Sequence, residues 1–244
     1  MTRVAEGIHR VGRRSTVNAY LLEEGGEVTV IDAGLRGQWS LLLAELGTMG
    51  RSLADIRAVV LTHGHSDHIG FAERLRTERN LPVWVHDLDS ALARGEIPNP
   101  AKQAGGTRPI PFLSFLLYAL RNGARPTPIQ VVSTYGDGAT LEVPGTPRVI
   151  LAPGHTPGSC ALHVASRSVL FAGDTLGTLS VTTGATGPRL SPFNADRAQA
   201  LASLQRLWGL DAELVLPGHG DPWTLGIDSA IVQAREAEAV LAPR

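Results

Sequence analysis

Apolar positions along the chain fall into short runs that alternate with turn residues, and this predicts many brief strands with a few helices between them. Val17 to Glu23 and Glu27 to Ile31 alternate like strands around Gly25-Gly26, a pair that permits the positive φ of a hairpin, so residues 7–33 read as a meander. Gln38 to Leu46 has helical periodicity, Arg57 to Thr62 reads as a buried strand, and Leu81 to His86 as another. A helix begins at Ile69 to Leu75 with Ser66 as its expected cap. Further strands are expected at Ile129 to Ser133, Thr140 to Val143, Arg148 to Leu151, Ser159 to Val164, Ser168 to Phe171 and Glu213 to Leu216. Helices are expected at Ala195 to Leu207 and Ala230 to Leu241. Doubled, strand-rich periodicity of this kind defines an α/β or α+β class and no more.

Residues 95–127 break the pattern. Proline and glycine flank an apolar helix, Ile110 to Leu120, in which Phe112, Phe115 and Tyr118 recur every three residues and so share one side. This insertion is a lid over a site, a contact to a second copy in a homodimer, or a helix packed on the core. It is too short to span a bilayer, and no other apolar run reaches the ~18 residues that a span needs.

A chain of 244 residues, 43% of them hydrophobic, can bury one sizeable core, so a single domain over residues 1–244 is expected. Basic and acidic residues number 22 and 23, a net charge of −1 that offers no electrostatic case for nucleic acid or an anionic membrane as partner. The first residues lack the apolar core of a secretory signal, so the expected location is cytoplasmic. Cys160 is the only cysteine; it excludes an intrachain disulfide and reads as a small buried hydrophobe.

The chemistry is concentrated in Thr62-His63-Gly64-His65-Ser66-Asp67-His68-Ile69-Gly70, between an expected strand and an expected helix. Three of the chain's eight histidines and an aspartate fall within six residues. His63 and His65 can point the same way while Asp67 and His68 face a neighbouring position, which implies two metals. Imidazole and carboxylate donors suit zinc, with iron and manganese as alternatives. Three later residues, His155, Asp174 and His219, each follow an apolar strand and sit among glycine or proline. Asp32 also ends a strand, either as a turn former or as a partner to a metal ligand. His86 lies outside the ordered motif and reads as structural or as part of a pocket rim.

The order His-x-His-x-Asp-His, then His155, Asp174 and His219, resembles the signature of the metallo-β-lactamase superfamily over nearly the whole chain. The resemblance implies a four-layer αββα sandwich. It also implies that His63, His65 and His155 hold one metal, that Asp67, His68 and His219 hold another, and that Asp174 bridges them. It favours the role of partner to a metal ligand for Asp32. Two divalent ions about 3.5–4 Å apart make a shared water a hydroxide, which attacks an electrophile while a metal polarises the oxygen that gains charge. Asp67 is placed to accept a hydrogen bond from that hydroxide and orient it.

Among subfamilies, Gly173-Asp174-Thr175-Leu176 is similar to the corresponding segment of glyoxalase-II-like thioesterases, without a helical C-terminal domain after residue 241. Lactonases of the superfamily carry a tyrosine where this chain has Leu176-Gly177-Thr178. The expected activity is hydrolysis of a small carboxylic ester, lactone or thioester. The alternatives are a β-lactamase-like amide hydrolase and, in another class, a mononuclear iron oxygenase of the persulfide dioxygenase type. The expected partner is a small-molecule substrate.

Overall fold

The computed structural model describes residues 2–103, 106–123 and 127–241. Two sheets form its centre. In the seven-stranded sheet the order is Arg3–Ala5, Ile8–Arg10, Tyr20–Glu24, Glu27–Ile31, Ile56–Val60, Val83–His86 and Ser133–Tyr135. Its first four strands are antiparallel neighbours, and from Glu27–Ile31 onward the pairings are parallel. In the four-stranded sheet, Leu214–Pro217 pairs parallel with Val169–Gly173, followed antiparallel by Cys160–Val164 and Arg148–Leu151.

Strand alternation divides the buried side chains among three cores. Ile8, Tyr20, Leu22, Ile31 and Val60 of the larger sheet meet Val149, Cys160, Leu162, Val169, Phe171 and Leu216 of the smaller one, so the sheets pack face to face. The neighbours Leu21, Val28, Val30, Ile56 and Val59 point the other way, onto Leu42 and Leu46 of the Trp39–Thr48 helix and Leu75 of the Ala72–Arg79 helix. On the far side, Ala161, Leu170, Ala172 and Val215 pack on Ala200, Leu204 and Leu207, and on Ile227, Ala230, Ile231 and Ala234 of the Ile227–Leu241 helix. The layers therefore run helix, sheet, sheet, helix, and the αββα sandwich is the observed fold. Strands buried on both faces explain why so many of them read as continuous apolar runs.

Several local expectations are corrected. The helix after the histidine motif starts at Ala72 with Phe71 at its cap, and Ser66 caps nothing. Residues 66–71 instead form turns, in which His68 N and Ile69 N donate to His65 O at 2.9 and 3.2 Å. Thr140 to Val143 contributes one isolated bridge, Thr140 to Arg148, and not a strand. The expected strand at Ile129 to Ser133 falls later, at Ser133–Tyr135. Ala195 to Leu207 is an α-helix only over Arg197–Ser203, capped by Asp196, and tightens into a 3₁₀ turn over Leu204–Leu207. In the insertion at 95–127, the helix spans Pro109–Arg121 with proline in its first turn; residues 104–105 and 124–126 lie outside the described residues. Cys160 is buried in the core between the sheets, as its neighbours imply.

Candidate metal centre

Every residue of the expected ligand set arrives at one end of the sheets, at a strand's C-terminal end or on the loop beyond it. His63 to His68 follow Ile56–Val60, His155 follows Arg148–Leu151, Asp174 ends Val169–Gly173, and His219 follows Leu214–Pro217. Donor atoms within 4.8 Å of one another form three groups that can hold a metal ion: His63, His65 and His155; His63, His68 and Asp174; and Asp67, His68 and His219. The Asp174 carboxylate lies between them, with Oδ1 3.5 Å from His68 Nε2 and Oδ2 3.5 Å from His155 Nε2 and 3.2 Å from His219 Nε2.

Outer hydrogen bonds turn these side chains inward. Asp32, at φ 57°, accepts from Thr62 N at 2.7 Å, from Thr62 Oγ1 at 2.8 Å and from His68 Nδ1 at 2.9 Å. With Nδ1 engaged, His68 Nε2 is left facing the cluster. His219 Nδ1 is likewise held by the Thr16 carbonyl, which leaves Nε2 toward Asp174 and Asp67. A second buried carboxylate, Asp89, ties two ligand loops together: Oδ2 accepts from Gly64 N at 2.8 Å and Thr156 Oγ1 at 2.7 Å, and Oδ1 accepts from Gly158 N at 2.7 Å. The sequence reading did not single out Asp89. Its one local signal is a carboxylate just after a strand, which ordinary turns share. Glycine is required at position 218, where a Cβ would collide with the Asp174 carboxylate and come within 2.6 Å of the His68 ring.

The electrostatics separate the donors into two kinds. Burial, and after it the neighbouring imidazoles, hold His63 well below its ordinary value, and burial with His155 lowers His65 to about 3. Burial also lowers His155. These rings are neutral and carry a free lone pair, the form that binds a metal. For His68 burial acts in the same direction, but Asp32, Asp174 and Asp67 overcome it and raise the group to about 9. His219 is raised by Asp174 and Asp67, and both carboxylates are correspondingly lowered against the effect of burial.

The residues fit a bound cation. His65 Nε2, His68 Nε2 and Asp174 Oδ1 are buried without a hydrogen-bond partner among the described residues, and His63 Nε2 faces His155 Nε2 at 3.1 Å. Polar atoms buried without partners are costly, and a cation bound among them offsets that cost. His86 stays outside the cluster. It is buried beside Tyr135, and its Nδ1 accepts from Leu88 N at 3.3 Å.

A cavity of about 250 Å³ adjoins the donors. Val17, Leu35, Phe115, Ala119, Val181 and Phe193 provide its apolar walls, and Ser66, Asn99 and Ser191 its further polar groups. The insertion helix thus faces the site through Phe115, whose ring lies 6.4 Å from that of His219. Asn99 and Ser191 are rim residues that the sequence reading missed, because neither belongs to a motif.

The fold and the order of these donors define a recognisable class. Residues 12–219 match the model of the Metallo-beta-lactamase superfamily, and the chain belongs to that superfamily. It is 27% identical over 232 residues to the "Probable metallo-hydrolase YflN" of Bacillus subtilis, covering 90% of this chain and 86% of that one. An uncharacterized protein of Aquifex aeolicus is 30% identical over 212 residues, 85% of each chain. Among solved structures, metallo-beta-lactamase family protein TTHA1429 of Thermus thermophilus superposes with a TM-score of 0.70 at 25% identity, over 97% of this chain and 81% of that one. TTHA1623, solved in a di-iron-bound form, gives 0.61 at 31% identity, over 90% and 95%.

Proposed function

We propose that the chain is a metal-dependent hydrolase of a small carboxylic ester, lactone or thioester, acting through one domain that carries two divalent ions. The observation that supports this reading is the convergence of seven buried or half-buried donors in three overlapping groups, with the Asp174 carboxylate within 3.5 Å of His68, His155 and His219. In this reading His63, His65 and His155 hold one ion, Asp67, His68 and His219 the other, and Asp174 serves both. The probable metallo-hydrolase among the relatives supports the reaction class, and the di-iron form of TTHA1623 supports a two-ion site and admits iron beside zinc. When bound, such ions would supply a water acidic enough to attack and a Lewis acid for the oxygen that gains charge.

The protein's own groups do the rest. Asp67, on the cavity wall and ionised, accepts a hydrogen bond from the attacking water and aims it. Asp174 keeps the two donor sets at a fixed separation, Asp32 fixes the tautomer of His68, and Asp89 holds the His63–His65 and His155 loops in register. The apolar walls exclude water and reward an apolar acyl or alkyl group, each buried methylene contributing about 0.8 kcal/mol. Cys160 takes no part, since burial raises its thiol and its Sγ contacts Thr62 O at 3.2 Å inside the core.

A screen of metal-analysed protein against lactones, aryl esters, acyl thioesters and a chromogenic cephalosporin tests the reading. Turnover of the esters, lactones or thioesters above the cephalosporin supports it. Turnover confined to the cephalosporin assigns amide hydrolysis instead, and oxygen consumption with one iron per chain assigns an oxygenase.

A further inference from the structure

The Pro109–Arg121 helix has two apolar faces, and the pocket uses only one. Phe115 and Ala119 wall the metal centre. On the other face Ile110 is 83% exposed, Leu113 54%, Leu116 42%, Leu117 44% and Leu120 63%. Their spacing places them in one stripe along the helix. Single exposed leucines are ordinary, but five large apolar side chains on one short helix form a contiguous patch that water solvates at a cost.

The segment that carries this stripe has charge of one sign. From Ile97 to Gly136 the sequence contains no aspartate or glutamate, while Lys102, Arg108, Arg121 and Arg125 are all basic. The net charge of −1 for the whole chain conceals this segment. Beside the C-terminal half of the helix lies a cleft of about 790 Å³, larger than the pocket at the metal centre, lined by Arg13, Arg14 and Arg121 together with Leu41, Leu117 and Tyr118. Its only acidic side chain, Glu45, is buried and occupied by His9 Nδ1 at 2.7 Å. Among the described residues Arg13, Arg14, Arg108 and Arg121 make no ion pair.

A second copy of the chain is a poor occupant of this face. A two-fold contact pairs each patch with itself and would bring these arginines toward their own counterparts. An anionic lipid surface matches both features, since its acyl region takes an apolar stripe while its phosphates take the flanking guanidinium groups. We propose that the outer face of the Pro109–Arg121 helix docks this protein on an anionic lipid surface. The helix lies along the interface, with Ile110, Leu113, Leu116, Leu117 and Leu120 turned into the lipid and Arg13, Arg14, Arg108 and Arg121 at the phosphates. It does not cross the bilayer, because no described helix is long and apolar enough to do so. Its inner face meanwhile walls the pocket, so the metal centre sits roughly one helix diameter, about 10 Å, from the membrane. The inference does not depend on the reaction proposed above.

Flotation of the full-length, metal-loaded protein with vesicles tests it, comparing phosphatidylcholine alone with phosphatidylcholine mixed with phosphatidylglycerol. Binding to the anionic mixture should be at least roughly tenfold stronger than to neutral vesicles and should weaken as salt is added. Leu113→Gln/Leu120→Gln and Arg108→Gln/Arg121→Gln should each reduce that binding about tenfold. Both variants alter exposed positions, so the thermal midpoint and the metal content should stay at the parent values. Failure of the parent protein to float with anionic vesicles overturns the proposal, as does undiminished flotation of both variants. A dimer in solution that Leu113→Gln/Leu120→Gln converts to monomer gives this face to a second copy, and likewise overturns it.

Discussion

His63 Nε2 and His155 Nε2 face each other at 3.1 Å across 92 residues of sequence. Both rings are buried and both are held neutral by that burial, so this pair brings two lone-pair-bearing nitrogens to one point. A hydrogen bond there occupies one nitrogen with the other's proton, whereas a cation satisfies both lone pairs. Asp67, His68 and His219 form a further group that can hold a cation.

Asp174→Asn should remove at least one metal and most of the activity, because the amide supplies one neutral oxygen where two anionic ones lie among His68, His155 and His219. Metal analysis alongside turnover checks this. An asparagine variant with full metal content and parental rate would contradict it.

Asp32→Ala should cost about 10–100-fold in metal affinity, the usual effect of removing the partner that orients a ligating histidine. Competition with a chromogenic chelator measures it. Asp89→Ala acts differently, since it leaves Gly64 N, Thr156 Oγ1 and Gly158 N without their acceptor. Each buried donor left unpaired costs about 1–3 kcal/mol, so this variant should lose thermal stability before it loses metal.

Metal affinity should rise with pH. In the metal-free protein His68 is raised to about 9 and His219 is also raised, so both hold protons at neutral pH that a cation must displace. For a raised group the linked stability of the metal-free fold is fully present below the ordinary histidine value and is lost as pH climbs through about 9. Calorimetry in buffers of different ionisation enthalpy should report on the order of two protons released on saturation. A binding heat independent of buffer would contradict the assignment.

Phe115→Ala should flatten the preference for longer acyl or alkyl chains in kcat/KM while leaving metal content unchanged. Phe115 is half-buried on the pocket wall, so the substitution should cost less than the roughly 3–5 kcal/mol of a buried phenylalanine. A large fall in thermal stability with an unaltered chain-length profile would place this side chain in the core instead.

Much of this site was legible from local signals. Tight glycine- and proline-rich loops after apolar runs marked His155 and His219, and the six-residue His/Asp window stood out against eight histidines in the whole chain. Asp89 was not legible, because its three partners lie 25 to 69 residues away and only the folded loops bring them to one carboxylate. The cap at Ser66 failed for a related reason. Turning Asp67 and His68 toward the donor cluster takes residues 66–71 out of helical conformation, so the helix begins only at Ala72. At Thr140 to Val143 the alternation is present, but closure of the turn by Thr146 N to Val143 O at 2.8 Å leaves a single bridge. Two helix faces were equally hidden: periodicity aligned Phe112, Phe115 and Tyr118, while only the packing shows Phe115 on the pocket and the leucines outside.

The most direct measurement of the central claim is metal stoichiometry by inductively coupled plasma analysis after reconstitution with excess zinc, iron or manganese. If the seven donors divide into the two proposed sets about Asp174, the protein should retain two ions per chain after desalting. A constant stoichiometry of one with every metal would contradict a two-ion centre.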